Sequence, residues 1–272
     1  MMRKTAMQWL IAAAILVTLP AAALFAAGCG AGAVVIATTS EMAQSELYTK
    51  LVKEFEKQNG VKVRTKSYRN SVEVLSAGER GEADALLVGN KPALEKWLEE
   101  GYAASAEDVF YSDFIVVGPV NDPAQIKGLD CPGKSCKKVG TAGAAFVARG
   151  DGSDLDAKVM GYWNKCGIDP SGQGWFTKTG QDMPTTITIA GEKQAYTICD
   201  TSAWLENQAD VPLTKLVEGC AMLMNQYCLV VIDPEAAVKL ADFMIGETCQ
   251  GLVGSYQESG VVIYHPNATK EI

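Results

Sequence analysis

The sequence predicts an α/β protein of two doubly wound lobes, on three observations. Apolar strand runs alternate with amphipathic helical segments from residue 33 onward, the pattern of a sheet covered by helices on both faces. About 240 residues remain once a leader is set aside, more than the roughly 100–150 residues of a usual single core. No Pro-, Gly- or Ser-rich linker parts the chain, so it is expected to pass between the lobes more than once.

The elements follow in order. AVVIATT, residues 33–39, reads as a buried strand that enters the hydroxyl-rich turn TTSEMAQS. ELYTKLVKEFEKQNG then sets Leu47, Leu51 and Phe55 at helical spacing and closes on Gly60. VKVRTKSY alternates as a strand, SVEVLSAGERGEA is a short helix, and ADALLVG is a continuous apolar strand. PALEKWLEEGY carries Pro92 at its start and Gly101 at its end, as helices do. DFIVVGP, residues 113–119, is the next strand, and the 120s and 130s are read as loop. AAFVARGD is a strand feeding a turn, DLDAKVMGYWNKCG a helix, and TGQDMPTTITIAGE a helical or turn region. QAYTICD, SAWLENQA, TKLVEG and QYCLVVID follow as strand, helix, strand and strand, and two amphipathic helices end the chain. The strand–helix alternation predicts a parallel sheet.

Residues 1–28 read as an export signal. Arg3 and Lys4 precede an apolar run from Trp9 to Phe25, and small residues lead to Cys29. That order suits a lipoprotein signal, with Cys29 lipidated and residues 29–32 as tether. Removing the leader takes away two positive charges, so the formal charge of −8 becomes −10. Such acidity disfavours nucleic acid and anionic lipid as partners. Seven cysteines remain after Cys29. Cys131 and Cys136 bracket PGKS and are the local candidates for a disulfide.

GLDCPGKS, residues 128–135, matches a phosphate-loop pattern, which needs a strand leading in and a helix leading out. The lead-in DPAQIK is polar and the lead-out CKKVGTAG is poor in helix formers, so a surface loop is expected. His265 is expected at the surface. No metal knuckle or nucleophile elbow is present, and no catalysis, cofactor or resident metal is expected. The strand-to-helix turns remain, and ligands of open α/β sheets sit at such turns.

Taken together, VVIATTS, GEADALLVGNKPALEKWLEEGY, FVARGDGSD, GWFTKTGQDM, EKQAYTICD and NQYCLVVIDP resemble the tungstate-binding extracellular proteins of ABC importers, kin of the molybdate binders. The resemblance implies a periplasmic-binding-protein-like fold of type II, with two crossing hinge strands at Asp113–Pro119 and Gln226–Asp233. Lobe I is then 33–116 plus 227–272, and lobe II is 117–226. It implies a monomeric, lipid-anchored, extracytoplasmic receptor that hands a small ligand to an ABC permease and ATPase. An oxyanion would be held by Thr38, Thr39, Ser71 and Arg149, between the first and third turns.

Around that set the resemblance adds Ser40, Ser153 and Asp200. It also marks departures. Glu41 fills a hydroxyl position and Glu73 replaces an amide. Asp156 and Asp182 add carboxylates, and Thr201 stands where the family has an arginine. A carboxylate about 4 Å from a dianion costs several kcal/mol at an effective dielectric near 20. These changes open a second reading. A zwitterion could present its carboxylate to Arg149 and its ammonium to Glu41 or Glu73, and a hard metal cation is a further option. A sensory lipoprotein without a transporter is the other alternative.

Overall fold

The protein is described by a computed structural model covering residues 32–267. The leader and Cys29 lie outside those residues. Strand β1 (Val34–Thr39) enters α1 (Ser40–Gln44), and α2 (Glu46–Asn59) follows at once. The sequence had marked a turn where α1 sits. Five residues form a helical turn there because the Thr39 hydroxyl accepts from Met42 N and Ser45 caps the helix that follows. Gly60 ends α2 at φ +65°, a left-handed position that suits glycine. Next come β2 (Val63–Tyr68), α3 (Ser71–Glu79), β3 (Ala85–Val88) and α4 (Lys91–Leu98). The long β4 spans Ser105–Pro119 and begins before the predicted DFIVVGP.

The second stretch runs α5 (Pro132–Ala142), β5 (Phe146–Ala148), α6 (Asp154–Lys165), β6 (Phe176–Lys178) and α7 (Met183–Glu192). It continues with β7 (Thr197–Asp200), α8 (Thr201–Asn207) and β8 (Leu213–Val217). A 3-10 turn at Ala221–Leu223 leads into β9 (Met224–Val231). Then α9 (Pro234–Ile245) and α10 (Glu247–Ser255) precede three short strands, β10 (Gln257–Glu258), β11 (Val261–Val262) and β12 (Tyr264–Pro266).

The GLDCPGKS loop is only half a loop. Pro132 sits in the first turn of α5, where its missing N–H is no loss, and the rest of the segment is helical. This also separates Cys131 from Cys136. Cys131 is the extended N-cap residue with its sulfur 3.5 Å from that of Met222, whereas Cys136 turns into the core. Both are free thiols in the structure, so the local bridge is not formed.

The sheet is mixed rather than wholly parallel. Its order is β12-β4-β9-β3-β1-β2, with β1 parallel to β2 and β3, and β9 antiparallel to both β3 and β4. Two long strands that run directly between cores, without a crossover helix, pair antiparallel. Along β4, Ser105 to Asp113 pair with β9, while Phe114 to Pro119 pair with β7 and β8. Strands β5 and β6 form a separate parallel pair.

Packing follows the strand alternation. Ile36, Leu87 and Leu229 face a cluster with Leu51, Phe55 and Phe243 from α2 and α9. Ala37, Leu86 and Val230 face the opposite cluster with Val74 and Trp97 from α3 and α4. The sheet is therefore doubly wound. A third cluster, around Phe146, Trp163, Ile187 and Tyr196, is built from residues 114–223. Phe55 is fully buried and edge-on to Phe243 at 5.5 Å. Phe55→Ala should cost about 3–5 kcal/mol, read as a lower urea midpoint with unchanged slope.

Candidate ligand-binding site

Three turns at strand ends meet at one place. The first joins β1 to α1, the second joins β2 to α3, and the third joins β5 to α6. Arg149 follows β5 directly and is buried, with 9 % of its side chain exposed. Gly150 at φ +67° lets the chain turn there, and a Cβ on it would strike the Lys178 side chain.

The guanidinium has two occupied edges. Nε and Nη2 hold Asp151 Oδ2 at 3.0 and 2.6 Å. Nη1 meets Glu41 Oε1, from the first turn of α1. One positive charge thus faces two carboxylates. Burial alone would raise the Asp151 carboxyl, but hydrogen bonds from Ser153 and the charge of Arg149 outweigh it and hold it below its ordinary value. Asp200 is shifted the other way. Burial raises it and the charge of Glu41 adds to the rise, against the hydrogen bond from Ala203 N.

The second and third turns are joined by direct bonds. Asp154, the first residue of α6, accepts Ser71 N at 3.0 and 3.1 Å and Ser71 Oγ at 2.5 Å. Asn70 Nδ2 donates to Gly152 O at 2.9 Å. Ser71 Oγ in turn accepts Gly89 N at 3.2 Å. A carboxylate from one core therefore sits at the N-terminus of α3 in the other, where backbone donors and the helix dipole favour it.

Most of the predicted hydroxyls and carboxylates are engaged locally. Thr38 Oγ1 donates to Leu87 O at 2.8 Å, and Ser40 Oγ to Tyr68 O at 3.2 Å. Thr39 and Ser153 are N-caps, of α1 and α6. Glu73 accepts from Arg69 N beside its own helix start. Asp156 accepts Gly150 N and Gly152 N, which shapes the third turn. Asp182 is exposed and caps α7. Asp200 caps α8 through Ala203 N. Thr201 is turned away, since its hydroxyl donates to Asp113 O and it lines a separate groove of about 610 Å³ with Trp204, Lys215 and Glu218. Of the predicted set, Glu41 and Arg149 are brought into direct contact, and Ser71 reaches the same third turn through Asp154.

Asp154 and Lys158 were not singled out from sequence. Asp154 follows the cap Ser153 and reads as an ordinary first-turn acid. Lys158 reads as a solvated helix residue, but its Nζ donates to Met224 O at 2.6 Å and lies over the Phe114 ring. No local signal distinguishes either.

A profile of the PBP superfamily domain matches residues 25–248. The chain belongs to the PBP superfamily. This PBP-superfamily chain is 33% identical over 252 residues to the tungstate-binding protein TupA of Peptoclostridium acidaminophilum, covering 88% of this chain and 87% of that protein. Tungstate-binding protein TupA of Desulfovibrio alaskensis G20 superposes with a TM-score of 0.79 at 29% identity, covering 88% of this chain and 100% of that one. The tungstate ABC transporter structure from Geobacter sulfurreducens superposes with a TM-score of 0.68 at 32% identity, covering 82% and 98%. The fold is that of the type II class, as the resemblance implied.

Burial, with the charge of Lys165 acting the same way and that of Asp154 against it, pulls the Lys158 ammonium down to about 8. In the unfolded chain it titrates near the ordinary lysine value. Between those two points the unfolded state holds the extra proton, so stability rises with pH. Wild type should therefore gain stability relative to Lys158→Met as pH rises from about 8 to about 10.4. Urea midpoints at stepped pH check this, and a constant difference would contradict it.

Proposed function

We propose that this chain is the solute-binding component of an ABC importer, capturing an oxyanion of the tungstate or molybdate type between two lobes. The observation that carries the reading is Arg149, a buried guanidinium whose Nη1 side faces the first turn across the cleft. A guanidinium anchored by Asp151 is a preorganised anion contact. Ser71 N and Oγ at the start of α3 are held by Asp154, which ties the second turn to the third beside it. The TupA relatives bind tungstate by their names, and the likeness spans most of the chain.

In this reading lobe I comprises 33–116 and 227–272, lobe II comprises 117–226, and the crossings lie in β4 and β9. Closure buries the ligand, and a permease with its ATPase receives it. The chain acts as a monomer and carries no catalytic centre. Residues 1–28 are a signal peptide, and lipidated Cys29 tethers the protein outside the membrane.

A second reading is favoured by one observation, the two acids Glu41 and Asp200 near the guanidinium. A zwitterion would use Arg149 for its carboxylate and Glu41 for its ammonium.

Titration calorimetry separates the two. Tungstate and molybdate should bind, and Arg149→Ala should weaken them by about 2–5 kcal/mol, with the unfolding midpoint followed in parallel. Binding of an amino acid with no response to either oxyanion would overturn the first reading in favour of the second. For the anchor, Cys29→Ala should move the protein from the membrane to the soluble fraction, and retention at the membrane would refute lipidation.

A further inference from the structure

We propose that Glu41 is a built-in competitor for the anion seat on Arg149, and so sets how tightly an anion must bind to be held. The proposal rests on the oxyanion reading above and adds to it the residue that regulates affinity. Its basis is the asymmetry of the Glu41–Arg149 pair. The guanidinium is fixed, since it is 9 % exposed and its Nε and Nη2 edge is locked by Asp151. Glu41 is 60 % exposed, on the first turn of a short helix. It can leave by side-chain rotation alone.

Two further contacts make that exchange feasible. Asp154 with Ser71, and Asn70 with Gly152, hold the second and third turns together without Glu41. Release of Glu41 therefore does not require the cleft to part. With Glu41 in place the guanidinium is over-neutralised by two carboxylates. With Glu41 in solvent only Asp151 remains, and Nη1 is open to an incoming anion.

Competition makes a quantitative demand. Every anion must break the same Glu41–Arg149 pair, so every anion loses affinity by the same factor. The affinity ratio of a dianion to a monoanion of the same shape is therefore unchanged by Glu41. A fixed carboxylate that merely repelled the ligand would act differently, because repulsion scales with ligand charge.

Tungstate and perrhenate, a tetrahedral dianion and monoanion, are suitable probes. Their affinities for full-length wild type, Glu41→Gln and Glu41→Asp are measured by calorimetry, with perrhenate also titrated in competition against tungstate. Glu41→Gln should tighten both by the same factor, about two- to fivefold for a partly exposed pair. Glu41→Asp, one methylene short of Nη1, should resemble Glu41→Gln despite keeping its charge. Unchanged or weaker tungstate binding in Glu41→Gln, or a gain much larger for tungstate than for perrhenate, would overturn the proposal and leave the oxyanion reading standing. If wild type and both variants bind neither anion, the oxyanion reading falls and this proposal with it.

Discussion

Strand β4 belongs to two cores at once, and the rest of the architecture depends on that. Up to Asp113 its backbone is satisfied by β9, and from Phe114 onward by β7 and β8. Buried backbone groups cannot be left unpaired, so one ladder must take over where the other stops. Asp113 marks the exchange. Its carbonyl accepts the Thr201 hydroxyl at 2.9 Å, and its carboxylate lies 3.3 Å from His265 Nε2. Burial raises that carboxylate, with the nearby His265 acting in the opposite sense. Lys158, on the neighbouring helix, holds the first carbonyl of β9.

Because both cores are anchored to β4 and β9, the turns at the ends of β1, β2 and β5 face one another. Most hydroxyls there serve the scaffold. Thr39, Ser45 and Ser153 cap helices, and Thr38 and Ser40 tie carbonyls of neighbouring strands. The donors that bridge the turns are one guanidinium and the head of α3. An acidic chain has met both with its own carboxylates, Glu41 on Arg149 and Asp154 on Ser71. The chain's own carboxylates thus occupy the donors of both turns.

Much of the fold was legible in the chain because its signals are local. Gly60 after Leu47, Leu51 and Phe55 announces the end of a helix, and the strand around Leu86 is apolar on both faces. The failures are equally physical. PGKSCKKVGTA has weak helix propensity, yet Cys136 and Val139 bury one face of α5 against the third cluster, and packing prevails over propensity. Alternation of strands and helices suggested parallel pairing throughout, but strand direction depends on which strands become neighbours. The site was half legible. Arg149 and Glu41 stood out by charge, whereas Asp154 looked like any first-turn acid.

The sequence by itself determined most of the strands and helices, that helices cover both sheet faces, and that Arg149 follows a strand into a hydroxyl-rich turn. These follow from periodicity, capping and composition, which act over a few residues. Only the tertiary structure decided where Glu41 points. Its partner lies 108 positions away in the chain, and no local rule links them. A carboxylate on the first turn of α1 could have capped a helix, as Glu73 and Asp182 help to do, or faced solvent. It reaches Arg149 because β4 and β9 bring the first and third turns together, and a buried guanidinium with one open edge attracts whichever carboxylate can reach it.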